Sequence, residues 1–154
     1  MELILVRHAK AEEKRDGLDD RQRHLTEKGV TKFTRLMPQV QKKLESQQYR
    51  NLVIWSSPAC RAAETAEILA DHLDISIDSY HDFIYTGEFE EFEKALSQAS
   101  DDTTLILVGH EPTWSLWTAQ IAHRNIHFKK GGIVCLELTS RQPVEAVIAW
   151  QIQP

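Results

Sequence analysis

Two histidines and two arginines stand just beyond three short apolar runs. Arg7-His8 follows Leu3 to Val6; Arg61 follows Leu52 to Trp55 across Ser56-Ser57-Pro58-Ala59-Cys60; Gly109-His110-Glu111-Pro112 follows Leu105 to Val108. A guanidinium is permanently charged and offers forked N–H donors that match a tetrahedral oxyanion, while a neutral imidazole is a nucleophile or a proton carrier near neutral pH. Together these groups suit phosphoryl transfer. A single histidine at a strand end is commonly structural, and a single loop arginine is commonly a surface charge. The argument rests on four such residues in equivalent places, out of 7 His and 18 Lys plus Arg. His24, His72, His81, His123 and His127 lack that placement and are read as surface or packing residues.

The elements that must hold these residues follow from the hydropathy pattern. The tetrapeptide Leu-Ile-Leu-Val occurs twice, at Leu3 to Val6 and Leu105 to Val108. These runs and Leu52 to Trp55 have the near-continuous apolar pattern of parallel strands covered on both faces. In such a sheet, functional groups gather in the crevice beyond the carboxyl ends of the strands, so residues a hundred positions apart share one pocket. Thr26 is a plausible N-cap for a helix to about Ser46, kinked at Pro38. Ala62, Thr65, Ala66 and Leu69 mark an amphipathic helix from Pro58 to about Leu73. Ile75 to Ile77 is read as a brief strand, Glu88 to Ala99 as a helix with Phe89, Phe92 and Leu96 on one stripe, and Pro112 as the first residue of a helix to about Ala122. Helix N-termini near Pro58 and Pro112 add anion affinity at the strand ends. Gly132 to Leu138 and Val144 to Ile152 alternate as two strands joined through Ser140-Arg141-Gln142-Pro143. The expected architecture is an α/β three-layer sandwich, with a mostly parallel sheet, a C-terminal antiparallel hairpin and helices on both faces.

Four ordered motifs carry a family resemblance. Val6-Arg7-His8-Ala9 resembles the Arg-His-Gly signature of the histidine phosphatase superfamily, which includes the phosphoglycerate mutases. Arg23-His24-Leu25-Thr26-Glu27-Lys28-Gly29 is similar to its Arg-x-Leu-Thr-x-x-Gly segment. Ser56-Ser57-Pro58-Ala59-Cys60-Arg61-Ala62-Ala63-Glu64-Thr65-Ala66 resembles its Ser-Ser-x-x-x-Arg-Ala-x-x-Thr-Ala helix start, and Val108-Gly109-His110 its second histidine motif. Ala9 departs from the usual glycine, and a positive φ at that position would strain it. The stretch between Leu73 and Thr103 is too short for the helical lid of the mutases and many sugar phosphatases, which implies an open pocket. The short, lidless members that this chain resembles in size and in Gly109-His110-Glu111-Pro112 are the SixA-like phosphohistidine phosphatases.

The resemblance implies His8 as nucleophile through a phosphohistidine intermediate, His110 as stabiliser of the transferring group, Arg7 and Arg61 as neutralisers of its oxygens, and no metal or other cofactor. Family members acting on phosphate esters use an acidic proton donor after the second helix. Asp82, Glu88, Glu90 and Glu91 are the candidates, and Asp82 matches best by motif order. An alkoxide leaves poorly without protonation, whereas a phosphorylated imidazole protonates on its own ring, so an unassigned acid favours a phosphohistidine on a protein as substrate. The competing readings are a phosphomonoesterase for a sugar phosphate or nucleotide, and a non-catalytic module that recognises a phosphorylated partner.

Bulk properties set the outer limits. A chain of 154 residues has the size of one ordinary domain, expected to span 1–154. Its net charge of −5 argues against a broad nucleic-acid surface but not against a small anionic substrate held by a few arginines. No apolar run approaches the roughly 18 residues of a membrane span, and the N-terminus lacks the features of a secretory signal, so a cytoplasmic location is expected. Cys60 and Cys135 lack Cys-x-x-Cys spacing and are read as reduced structural thiols.

Overall fold

The computed structural model describes residues 1–154. Its centre is a six-stranded sheet built from β1 (Glu2–Arg7), β2 (Leu52–Ser56), β3 (Ile77–Tyr80), β4 (Thr104–Gly109), β5 (Ile133–Arg141) and β6 (Val144–Ile152), in the order β3-β2-β4-β1-β5-β6. The β1–β4, β2–β4 and β2–β3 pairs are parallel, and β1–β5 and β5–β6 are antiparallel. The sheet is therefore mixed, with the hairpin at one edge, as the alternation in the last third of the sequence predicts.

The two Leu-Ile-Leu-Val copies lie side by side in the middle of this sheet. Leu3 pairs with Leu105, Ile4 with Ile106, Leu5 with Leu107 and Val6 with Val108. Successive strand residues face opposite ways. Leu3, Leu5, Leu105 and Leu107 accordingly enter one core, with Phe83, Ile84, Phe92, Leu96, Trp114, Trp117 and Ile121. Ile4, Val6, Ile106 and Val108 enter the other, with Phe33, Met37, Val40, Leu44, Ala62, Ala66 and Leu69. The helices carrying these residues form the outer layers: α1 (Glu27–Ser46) and α2 (Cys60–Leu73) on one face, α3 (Asp82–Thr86), α4 (Phe89–Ser97) and α5 (Thr113–Ala122) on the other.

Local chemistry explains most boundaries. The Thr26 hydroxyl accepts from the Gly29 N–H at 3.0 Å, capping α1. That helix runs unbroken through Pro38, which sits on its exposed side. At the end of α2, Asp74 adopts a left-handed conformation (φ 54°) and the Ile75 N–H still donates to the Ala70 carbonyl at 3.0 Å. The chain is closing a helix where the sequence suggested a strand over Ile75 to Ile77, so β3 begins only at Ile77 and runs to Tyr80. The five-residue α3 is too short to leave a periodic signal and has no counterpart in the sequence reading. Pro112 is the N-cap of α5 rather than its first residue. The tryptophans of α5 belong to the core: Trp114 is fully buried and its Nε1–H donates to the Val6 carbonyl at 2.8 Å, fixing α5 to β1. No helix is long and apolar enough to cross a membrane.

Candidate active site

The carboxyl ends of β1, β2 and β4 deliver the four residues to one place. Arg7, His8, Arg61 and His110 line a single cavity of about 250 Å3, with Arg23, Lys14, Lys130, Glu12, Glu13 and Glu111 on its walls. The His8 and His110 rings lie 5.3 Å apart between centroids. Both imidazoles and the Arg61 side chain are buried. The His8 N–H donates to the Gly109 carbonyl at 2.9 Å, so the two histidine-bearing strand ends are tied by backbone as well as by register.

Each ring has its protonation pattern set by a neighbour. His8 Nδ1 lies 2.7 Å from the Ala9 carbonyl oxygen, an atom that only accepts, so Nδ1 carries the proton and Nε2 keeps a free lone pair. His110 Nε2 lies 2.8 Å from the Ser57 hydroxyl, which itself accepts from the Ala59 N–H at 3.2 Å. The Ser57 proton is free to donate to Nε2, and in that tautomer the Nδ1–H of His110 is a donor into the site. Burial lowers both histidines. His8 falls to about 4, the donation to Ala9 opposing burial and Arg61 and Arg7 adding to it. His110 falls to about 3, through burial, His8 and Arg61. Both are neutral at physiological pH.

The arginines are anchored at one side of their forks and unengaged at the other. Arg7 Nη1 donates to the Phe128 carbonyl at 2.7 Å. Arg61 Nη1 donates to the Asp20 carbonyl at 2.7 Å and Nη2 to the Asp20 carboxylate at 3.0 Å. Arg7 Nε, Arg61 Nε and His110 Nδ1 are buried without a partner in the protein, three of only four such side-chain atoms in the chain. Buried polar groups are nearly always paired, so three unpartnered nitrogens around one cavity make it the candidate site for an oxyanion.

Sequence reasoning missed the residue that organises this arrangement. Asp20 lies in a 3-10 turn (Asp20–Gln22), and its carboxylate accepts from Arg61, from Arg23 Nε at 3.0 Å and from the Tyr85 hydroxyl at 2.7 Å. Burial acts to raise its pKa, but the Tyr85 and Arg61 bonds and the arginine charges outweigh it and hold the carboxyl well below the usual range. Only the short spacing to Arg23 in a polar loop marks it in the sequence.

Asp82 is not brought to the site. It is the first residue of α3, its side chain is 77% exposed, and its carboxylate meets Arg21 Nη1 at 3.4 Å. Glu88, Glu90 and Glu91, the other acidic candidates, lie at or in the first turn of α4 and are exposed. Glu111 lines the catalytic cavity and an adjoining groove of about 420 Å3, which Tyr85, Pro112, Leu116 and Trp117 also border. Both Glu111 oxygens accept from Ser115, one from its N–H at 2.8 Å and one from its hydroxyl.

Other residues singled out in the sequence lie around this geometry. Ala9 does not adopt positive φ; it is buried, and its N–H donates to the Thr65 hydroxyl at 3.1 Å, so the exchange for glycine introduces no strain. His24, His72 and His123 are exposed and bonded to Glu64, the Ile68 carbonyl and Glu145, and the His81 ring packs 4.6 Å from Trp55. Cys60 and Cys135 are free thiols. No group of three or more His, Cys, Asp or Glu side chains forms a metal-ligand cluster.

Comparison with known proteins identifies the family and the fold. A model of the histidine phosphatase superfamily (branch 1) matches residues 3–99. The chain belongs to that superfamily and is a phosphatase of the histidine-nucleophile class. An uncharacterized protein of Picosynechococcus sp. is 34% identical over 143 residues, covering 88% of this chain and 84% of that protein. The fold is shared with the protein histidine phosphatase SixA in complex with tungstate, at a TM-score of 0.80 and 21% identity over 100% of this chain and 97% of that one. It is shared also with a mycobacterial glucosyl-3-phosphoglycerate phosphatase, at 0.70 and 13% identity, covering 99% of each chain.

Proposed function

We propose that this phosphatase removes the phosphoryl group from phosphohistidine on a protein, through a covalent phosphohistidine on His8 and without a metal. The observation that carries the reading is the bare Nε2 of His8 in a cavity ringed by the unpartnered Arg7 Nε, Arg61 Nε and His110 Nδ1. Nε2 attacks phosphorus and a new P–N bond forms. The bond to the substrate's imidazole breaks as that ring takes a proton, and the ring departs neutral. Water then attacks the phospho-His8, the P–N bond breaks, and phosphate leaves with His8 restored. The arginines and His110 hold the equatorial oxygens throughout, which is the electrostatic positioning on which phosphoryl transfer depends.

The commitments of most acids near the cavity favour a phosphoramidate over an ester. Asp20 is held as an anion by Arg61, Arg23 and Tyr85, Glu111 is engaged by Ser115, Glu12 accepts from the His24 N–H at 3.4 Å, and Asp82 stands outside the cavity, while Glu13 lines it. The groove beside the cavity, with Leu116 63% exposed on its border, offers room for a protein side chain. A second reading, hydrolysis of a small phosphomonoester, is favoured by the carboxyls that line the cavity, Glu12, Glu13 and Glu111, the last of which also borders the groove. The test is phosphate release from a phosphohistidine protein and from small phosphomonoesters, each with and without chelator, together with trapping of acid-labile phosphate on the enzyme. The expected result is chelator-insensitive release fastest from the phosphohistidine protein, with trapped phosphate absent in His8→Ala. Faster turnover of an ester would select the second reading. A folded protein with no turnover and no trapped phosphate would leave only phosphate recognition.

A further inference from the structure

A second cavity, of about 190 Å3, lies against the segment that carries the nucleophile. Lys10, Lys28, Lys32 and Lys130 surround it over a floor that includes Ala9 and Phe33, with the last residue of the sequence, Pro154, on its wall, and no Asp or Glu side chain lines it. Lys130 lines the catalytic cavity as well. Its walls are bonded to the catalytic segment: the Gly131 N–H donates to the His8 carbonyl at 3.1 Å, and the Thr26 N–H at the start of α1 donates to the Lys10 carbonyl at 3.0 Å.

None of the four lysines forms a salt bridge; the one lysine–carboxylate pair in the chain joins Lys94 to Glu91 at 3.1 Å. Four lysines without a side-chain carboxylate partner line one small space in a chain of net charge −5, an arrangement that attracts anions. Lys28 and Gly29 also lie in the first turn of the 20-residue α1, whose positive dipole end adds to the same field. The space is smaller than the roughly 300–1,000 Å3 of a pocket for a whole ligand, so it fits a single group.

We propose that this cavity receives a second anionic group, phosphate or carboxylate, carried by the same substrate whose phosphoryl group sits at His8. The inference rests on the phosphatase reading above. Two sources share the chemistry: an acidic residue flanking a phosphohistidine in a protein, and the second phosphate of a small bisphosphorylated molecule.

The test uses the full chain and the surface double variant Lys28→Gln/Lys32→Gln. KM is measured for two matched pairs: phosphohistidine peptides with and without flanking aspartates, and small phosphomonoesters with and without a second phosphate. The expected result is a rise of about tenfold in KM, at low salt, for the doubly anionic member of one pair, with kcat unchanged and the singly anionic partner within about twofold. The pair that responds identifies the source. Equal responses within each pair, or none in either, overturn the proposal. A binding measurement separates this failure from failure of the phosphatase reading. Titration of isotope-labelled protein with inorganic phosphate is expected to give saturable shifts of the Gly29 and Gly131 amides in the wild type and not in the double variant. No such shifts in the wild type also overturn the proposal. Saturable shifts in a protein that hydrolyses nothing would defeat the phosphatase reading while leaving the anion cavity in place.

Discussion

Arg61 is clamped to Asp20 by two hydrogen bonds, one to its backbone carbonyl at 2.7 Å and one to its carboxylate at 3.0 Å. The pair joins residues 41 positions apart and fixes the plane of the guanidinium, so that Nε stays buried with no other partner. Asp20→Asn keeps the shape but removes the charge that Arg61, Arg23 and Tyr85 all address. Hydrogen bonds to charged groups contribute about 1.5–3 kcal/mol, so kcat/KM is expected to fall about tenfold or more. Steady-state kinetics on a folded sample checks this, and an unchanged value would remove Asp20 from the site's architecture.

Ser57 orients His110 through the 2.8 Å contact at Nε2. Ser57→Ala leaves the imidazole free to place its proton on either nitrogen, so a share of molecules lacks the Nδ1–H donor. The expected outcome is a drop in kcat on the order of tenfold or more, since loss of one oxyanion donor costs about a hundredfold. Ser57→Thr, which keeps the hydroxyl, should recover part of it.

The histidines also link folding to pH. His8 titrates near 4 and His110 near 3 in the folded chain, against an ordinary value of about 6.5 in the unfolded one. Between those values the unfolded chain binds more protons. The stability from keeping both rings neutral is therefore fully present above about pH 6.5 and is lost as pH falls toward 4 and then 3. Urea melts at pH 7 and pH 5 should give a lower midpoint at pH 5. Imidazole resonances of His8 and His110 should still report the neutral ring at pH 5.

Asp82→Asn should leave activity on phosphohistidine and on esters within about twofold, because an exposed pair with Arg21 contributes little. A selective loss on esters would show that α3 moves to bring this carboxylate inward.

Gly29 is required by contact rather than by conformation. A Cβ built there meets the Lys10 carbonyl oxygen at 2.2 Å, an obstacle made of backbone. Gly29→Ala should destabilise the fold by about 1–3 kcal/mol, the cost of overpacking, read as a lowered melting temperature. The same contact explains why a glycine ends the Arg23 to Gly29 motif.

The strands and their ends were legible because apolar runs of four or five residues stop abruptly at Arg7, Ser56 and Gly109, and the crevice rule then places His8, Arg61 and His110 together. Asp20 and Tyr85 were not legible. Their bonds join residues 65 positions apart, from a polar loop and a five-residue helix, neither of which leaves a period in the sequence. Ser57 was visible within its motif, but its bond to His110 depends on the parallel pairing of β2 with β4, which no local pattern encodes. Asp82 matched by order along the chain, and order does not say which way the first residue of a short helix points.

The identical tetrapeptides of β1 and β4 impose a demand on assembly. A slip of two residues between them keeps every side chain on its proper face, with Leu3 beside Leu107 and Ile4 beside Val108, so apolar burial barely distinguishes the shifted pairing from the native one. It would nevertheless displace His8 from His110 by about 6.6 Å along the strand. The discrimination must come from bonds that only one alignment permits: the His8 N–H to the Gly109 carbonyl and the Trp114 indole to the Val6 carbonyl. Contacts at and just behind the two histidine-bearing strand ends thus also proofread the pairing of the two central strands.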